Sequence, residues 1–219
     1  MIRNLKVLML AAMVVAAFGA FSASGAQAAQ FHCTPAAGQT GCTLTAENDG
    51  TGKTAHHVFE IANKLNERTA ITCGTITGHA TLATTAESIT TTTVGYANCT
   101  WNGSVAEVKM NGCQYKFNAN GGKNVAVVCP AGKEIEQIIP TCTAKIGPQE
   151  ASGITYHNTT EVKPRTVTLS AAVTVTVNSL VGECGIKLEG PYTGHYTTGN
   201  TIIKAEEDPG TKEVDGWWL

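Results

Sequence analysis

The sequence predicts an all-β protein, an antiparallel sandwich or barrel-like body stabilised by disulfides, on three observations. Threonine occurs 32 times in 219 residues, with runs at 89–94 and 166–177, and β-branched side chains favour strands over helices. Eight cysteines follow an N-terminal leader, an even number that reads as four disulfides in an exported chain. Short alternating segments bounded by glycine and asparagine recur roughly every dozen residues, the spacing of a sandwich or barrel.

The leader comes first. Arg3 and Lys6 precede an apolar run from Val7 to Phe21, and small residues close it at Ala26-Gln27-Ala28-Ala29. Cation, apolar run and Ala-x-Ala site in that order form a secretory signal peptide, assigned to residues 1–28. The run falls short of the roughly 20 apolar residues of a membrane span. No second long apolar segment follows and no cysteine sits at the cleavage point, so neither a membrane span after signal removal nor a lipid anchor is expected. The expected destination is secreted and extracellular. Removing the leader takes the basic residues from 15 to 13 against 17 acidic ones, a net charge of −4, which argues against a nucleic-acid partner.

The body is assigned to residues 29–205. Eight cysteines allow on the order of a hundred pairings, but strand geometry argues for one. Between Cys113 and Cys129 lies Asn120-Gly121-Gly122, turn chemistry that supplies positive φ. A hairpin symmetric about Gly121 sets Phe117 opposite Val125, Tyr115 opposite Val127 and Cys113 opposite Cys129 on one face. Gln114, Lys116, Asn118, Asn124, Ala126 and Val128 then face water. Cys33 and Cys42 bracket a short loop with Pro35, Gly38 and Gly41 and form the next natural pair. The sequence leaves the pairing of the other four open; the preferred arrangement joins nearest neighbours, Cys73 to Cys99 across a hairpin of 71–82 and 90–101, and Cys142 to Cys184. Zinc is the alternative reading of the cysteines, but no Cys-x-x-Cys and no His-x3–5-His follows a cysteine pair, so neither a metal nor another cofactor is expected.

Further strands are expected at 70–76, 88–96, 104–110, 153–156, 165–170, 173–177 and 201–205 from alternation and turn residues. Segment 54–66 has two readings. Val58, Phe59, Ile61, Ala62 and Leu65 share a helical face, whereas His57, Phe59 and Ile61 alternate as in a strand, and the strand reading is preferred. The tail, 206–219, is acidic, carries Pro209-Gly210 and ends in Trp217-Trp218.

The stretch from Asn111-Gly112-Cys113-Gln114-Tyr115 through Cys129-Pro130-Ala131-Gly132, followed by Cys142, Ile146-Gly147-Pro148-Gln149 and Gly190-Pro191-Tyr192-Thr193-Gly194, resembles a family of exported, disulfide-containing all-β proteins from soil actinobacteria. The resemblance covers roughly residues 58–205. Its motifs are cysteines, turns and glycines, so it implies a fold and a bacterial origin and brings no catalytic residue with it. Cys33, Cys42 and the aromatic tail fall outside it.

Chemistry-bearing motifs are sparse. Gly50-Thr51-Gly52-Lys53-Thr54 resembles the end of a phosphate-binding loop, but Glu47 stands where that motif needs glycine, and Asn48-Asp49-Gly50 reads as a turn. His56 and His57, as strand neighbours, point to opposite faces and could not chelate one ion together. The other histidines are His32, His79, His157 and His195, and no metalloprotease or serine-hydrolase motif accompanies them. Only Asp49, Asp208 and Asp215 could complete a Ser-His-Asp triad. Glu134 and Glu136 could flank a glycosidic bond, although an exposed charged strand face accounts for them. Trp101 beside Cys99 is expected in the core. Trp217 and Trp218 are the candidates for contact with a partner or sugar ring. Asn98, Asn102 and Asn158 begin sequons that chance explains in so Thr-rich a chain.

The expected function is that of an exported, non-enzymatic structural or binding protein, acting at the cell surface on a glycan or protein partner. The alternative is an extracellular hydrolase with an unrecognised Glu/His site, and a third reading is a secreted inhibitor or toxin with its function on loops held by the disulfides.

Overall fold

A chain of alternating β-branched residues hides one face of its strands only by curling a sheet or stacking two, and this chain does both. The structure is a computed structural model that describes residues 30–48, 57–120, 124–159 and 166–206, among which there are seventeen strands and no helix. In chain order they are β1 (Phe31–His32), β2 (Cys42–Asn48), β3 (His57–Ala62), β4 (Arg68–Leu82), β5 (Thr85–Ala86), β6 (Ser88–Trp101), β7 (Ser104–Val105), β8 (Glu107–Lys109) and β9 (Gln114–Asn118). There follow β10 (Val125–Val128), β11 (Ile135–Ile139), β12 (Cys142–Ile146), β13 (Gln149–Ala151), β14 (Ile154–Thr159), β15 (Thr166–Val177), β16 (Ser179–Gly182) and β17 (Tyr192–Glu206). Residues 1–29 and 207–219, with Trp217 and Trp218, lie outside the described residues, as do residues 49–56, with His56 and the segment resembling a phosphate-binding loop, and residues 121–123, where a turn is expected.

The main sheet is antiparallel and runs β13-β10-β9-β6-β4-β2-β17-β15-β14. Between β4 and β17 two short strands share one slot end to end: β3 pairs with Arg68 to Cys73 and Thr193 to Thr198, β2 with Gly78 to Leu82 and Thr201 to Glu206. The sheet's edge strands β13 and β14 are joined by Ser152-Gly153 alone. There the Ala172 N–H donates to Gly153 O at 2.8 Å, while the Asn124 side chain donates to Ile154 O at 2.6 Å and accepts from Ile154 N–H at 3.2 Å. The two edges thus meet, and the sheet rolls into a barrel-like body. A second sheet, β16-β12-β11-β8, covers one end of it, and a small pair, β1 with β5, lies at the other.

The core follows β15 from end to end. Val177 packs under the second sheet with Phe59, Ile71, Ile139 and Ala144; Leu169, Ala171 and Val173 fill the middle with Val125 and Ile154; Val167 joins Phe31, Leu44 and Leu82 at the far end. Each valine, leucine, isoleucine or phenylalanine among them contributes about 1.5–3 kcal/mol by leaving water. Strands this long serve both ends by changing which side chains point in. On β6, Ile89 and Thr91 are buried, then Tyr96, then Cys99. The first change of phase falls at the register shift where Ala80 pairs Thr91 and His79 pairs Thr93, and the second lies next to Asn98, whose φ is 53°. On β17 a shift opposite Ser170 moves the inward set from Tyr196 and Thr198 to Thr201, Ile203 and Ala205. Bulges re-aim side chains in this way.

All eight cysteines are paired, as Cys33–Cys42, Cys73–Cys99, Cys113–Cys129 and Cys142–Cys184, the pairs read from the sequence. Cys73 and Cys99 stand directly opposite on β4 and β6. Cys113 and Cys129 flank the hairpin, whose register has Phe117 opposite Val125 and Tyr115 opposite Val127. Segment 57–62 is the strand that alternation favoured, with His57, Phe59 and Ile61 all buried.

Three strand expectations change. Segments 165–170 and 173–177 are one strand, because Ala171 and Ala172 continue the ladder to β17. Segment 104–110 is broken at Ala106, whose N–H turns back to Cys99 O at 2.9 Å, so β7 stays with β6 while β8 crosses to the second sheet. Strand 201–205 is the end of a 15-residue strand that begins at Tyr192 and runs through Glu206, where the Glu206 carboxylate accepts from Thr45 Oγ1 at 3.0 Å.

Candidate functional site

Inward-facing side chains of the barrel leave a cavity of about 130 Å³. Aliphatic residues from β2, β4, β6, β10 to β15 and β17 line its wall, and aromatic residues mark its length, from Phe59, Tyr96 and Tyr196 near the second sheet to Phe31 and Tyr156 at the far end. Phe31 is 1% exposed and meets the Tyr156 ring edge-on at 5.5 Å. The Cys33–Cys42 bond thus staples the segment that carries the far-end aromatic plug.

Near the second sheet four strands contribute one aromatic cluster. Phe59 lies 4.9 Å from Tyr96 and 4.8 Å from Tyr196, centroid to centroid. The Tyr96 hydroxyl donates to that of Tyr115 at 3.2 Å, and the Tyr196 hydroxyl is 2.8 Å from Nδ1 of the fully buried His57. Burial pushes the Tyr115 phenol up to about 12 and holds Tyr96, Tyr156 and Tyr196 well above the ordinary tyrosine range. Loss of water around a phenolate is the leading cause in each and the only one for Tyr156, while hydrogen bonds from neighbouring hydroxyls oppose it at Tyr115 and Tyr196. A raised acid favours the fold fully below the unfolded value of about 10, and that contribution disappears as pH climbs through the folded values. Alkaline titration followed at 295 nm is therefore expected to show these four of the five tyrosines ionising in one cooperative step with unfolding above about pH 11. Four smooth, independent ionisations near pH 10 with the far-UV spectrum unchanged would contradict this burial.

The wall also holds polar atoms that the fold leaves unmatched. Among the described residues, Gln137 Oε1, His79 Nδ1, the Tyr156 hydroxyl and Thr201 Oγ1 are buried without a hydrogen-bond partner, and all four residues line the cavity. Gln137 and Thr201 are each only 3% exposed. Register places Tyr156, Leu169 and Thr201 in one row across β14, β15 and β17. Gln137 stands on the wall supplied by the second sheet, between Ile135 and Ile139 on the buried face of β11.

Of the residues singled out by sequence, His79 and His195 line the cavity, while Glu134, Glu136 and Trp101 lie apart from it. Glu134 accepts from Asn178 Nδ2 at 2.6 Å. Glu136 pairs with Lys145 at 3.4 Å, its carboxyl held low by hydrogen bonds from Asn111 first and Lys145 after. Neither carboxylate reaches the cavity wall. His195 bonds Thr174 Oγ1 at 3.1 Å, and His157 is exposed. Trp101 is half-buried against the core with its Nε1–H donating to Thr69 Oγ1 at 2.7 Å. No group of three or more potential metal ligands occurs among the described residues, and no helix there is long and apolar enough to cross a membrane.

Sequence reasoning missed the cavity and its polar atoms. One signal was present: in Ile135-Glu-Gln-Ile-Ile139 a glutamine occupies an inward position of an alternating strand. Compared with protein-family models, curated proteins and solved structures, the chain matches none.

Proposed function

We propose that this is an exported, non-enzymatic binding protein that holds a small apolar molecule inside its barrel. The observation that carries the reading is the cavity itself, which well-packed cores of this size do not keep. Its volume of about 130 Å³ is close to that of apolar cavities, roughly 150 Å³, that take up benzene. The four disulfides support work in an oxidising compartment outside the cytosol, and the acidic balance supports a partner other than nucleic acid. A sugar, hydroxylated on every face, suits this wall poorly, so an apolar guest replaces the glycan in this reading. Contact of the whole body with a cell-surface partner remains compatible with it.

The test uses the oxidised mature protein and toluene. Binding is expected to raise the melting temperature, since a ligand at about tenfold its Kd stabilises the native state by about 1.4 kcal/mol, and to shift amide resonances along β10 and β15. Val125→Phe, which fills the cavity, is expected to keep the fold and lose both responses. No effect of either toluene or phenol on the wild type, or an equal effect of toluene on Val125→Phe, would overturn the reading.

A further inference from the structure

We infer that the cavity selects a neutral guest bearing a hydroxyl group, an alcohol or phenol whose O–H donates to Gln137 Oε1; this rests on the reading of the cavity as a ligand site. A buried amide oxygen without a partner costs the protein stability that an apolar residue would restore. Gln137 is 3% exposed on a strand whose other inward residues are Ile135 and Ile139, and its oxygen has no partner among the described residues. Thr201 and Tyr156 carry hydroxyls that can donate or accept, and the His79 Nδ1 does either according to its tautomer, so these three set no demand on a guest. A carbonyl oxygen only accepts, so the guest must donate. Charge is excluded on other grounds. Among the described residues no lysine or arginine lines the cavity, the one carboxylate in the lining, Glu60, is engaged by Arg68 at 2.8 Å, and of the two lining histidines His195 is engaged by Thr174 Oγ1 at 3.1 Å. A carboxylate or ammonium would enter without a counter-charge. Hydrocarbons fit the walls but leave the glutamine unmatched, and ethers and ketones bring only acceptors.

The experiment titrates the oxidised protein with phenol, its near-isostere toluene, and benzoate at pH 7, by calorimetry and by amide shifts. Phenol is expected to bind at least as tightly as toluene, and benzoate not detectably. In Gln137→Met the preference for phenol over toluene is expected to fall about tenfold, the size of one buried hydrogen bond. The same variant without ligand is expected to melt a few degrees higher, since an unmatched polar group has left the core; Gln137→Leu provides a second variant should methionine pack poorly. Toluene binding with no measurable phenol binding, or an unchanged preference in both variants, would overturn the hydroxyl assignment while leaving the cavity's role intact. A melting temperature lowered in both variants would show that the amide is a structural hydrogen-bonding group and would likewise overturn it. Failure of phenol and toluene alike would remove the binding reading itself.

Discussion

Complete reduction of the four disulfides, without denaturant, is expected to unfold this protein at 25 °C. The bonds close loops of 9, 26, 16 and 42 residues that follow one another along the chain and neither nest nor cross. Their restrictions on the unfolded chain are therefore close to independent. On the chain-entropy account each contributes about 2.5–4 kcal/mol, together about 13 kcal/mol, which matches the entire net stability of a typical domain, about 5–15 kcal/mol. The largest single loss is expected for Cys142→Ala with Cys184→Ala, whose loop is longest and which ties β12 to the turn after β16; the smallest is expected for the Cys33–Cys42 pair. Near-UV circular dichroism with a parallel thiol count checks this. Because Cys73 and Cys184 are fully buried, reduction itself will be slow, and the thiol count must reach eight before the spectrum is judged. A fully reduced protein that kept its near-UV signal would show that the two sheets hold without their cross-links.

Gly153→Ala is expected to destabilise by about 3–5 kcal/mol, more than any other single-methyl addition discussed here. Gly153 has φ +115°, a region closed to residues with a Cβ, and the added carbon would run into the carbonyl oxygen of Ala172. Strain of this kind costs about 1–3 kcal/mol, and overpacking against backbone, which cannot step aside as a side chain can, adds a similar amount. The position makes the loss consequential. The same glycine accepts the Ala172 N–H and joins β13 to β14 where the sheet's edges meet, so relieving the clash pulls the barrel open along that line. Gly38→Ala is the control: its φ is +87° but nothing lies within 4 Å of the added Cβ, and only the left-handed backbone penalty of about 1–2 kcal/mol remains. Urea unfolding of both variants separates the two contributions. Equal losses at the two sites would mean that backbone conformation alone accounts for Gly153 and that the closure carries no extra load.

Much of the fold was legible because its signals are local. Alternation in His57-Val-Phe-Glu-Ile61 identified β3 against a helical reading, and the Asn-Gly-Gly turn with Cys113 and Cys129 at equal distance predicted a register that the ladder reproduces. The Cys113–Cys129 and Cys73–Cys99 bonds follow hairpins, where residues close in sequence are also close in space, whereas Cys142–Cys184 joins β12 to the turn after β16 across three intervening strands. Length and partnership were harder. Nothing within 165–177 tells that two apparent strands are one, and the pairing of β2 and β3 in a shared slot depends on β17, more than 100 residues away in the chain.

What the sequence determined by itself is the class of the protein and two of its cross-links, Cys113–Cys129 and Cys33–Cys42: β-branched alternation compels strands, turn residues compel hairpins, and cysteines at the ends of one hairpin are brought within bonding distance by the ladder alone. What only the tertiary structure decided is the interior. Whether the sheet's edges meet, where bulges on β6 and β17 turn side chains inward, and how much room remains when all inward residues are in place depend on the sum of many non-local contacts. A cavity is the volume those contacts fail to fill, and no single stretch of residues encodes it. Gln137 stands on that boundary, since its place on an inward face could be read from five residues, but its unmatched oxygen could be seen only once every neighbour was in position.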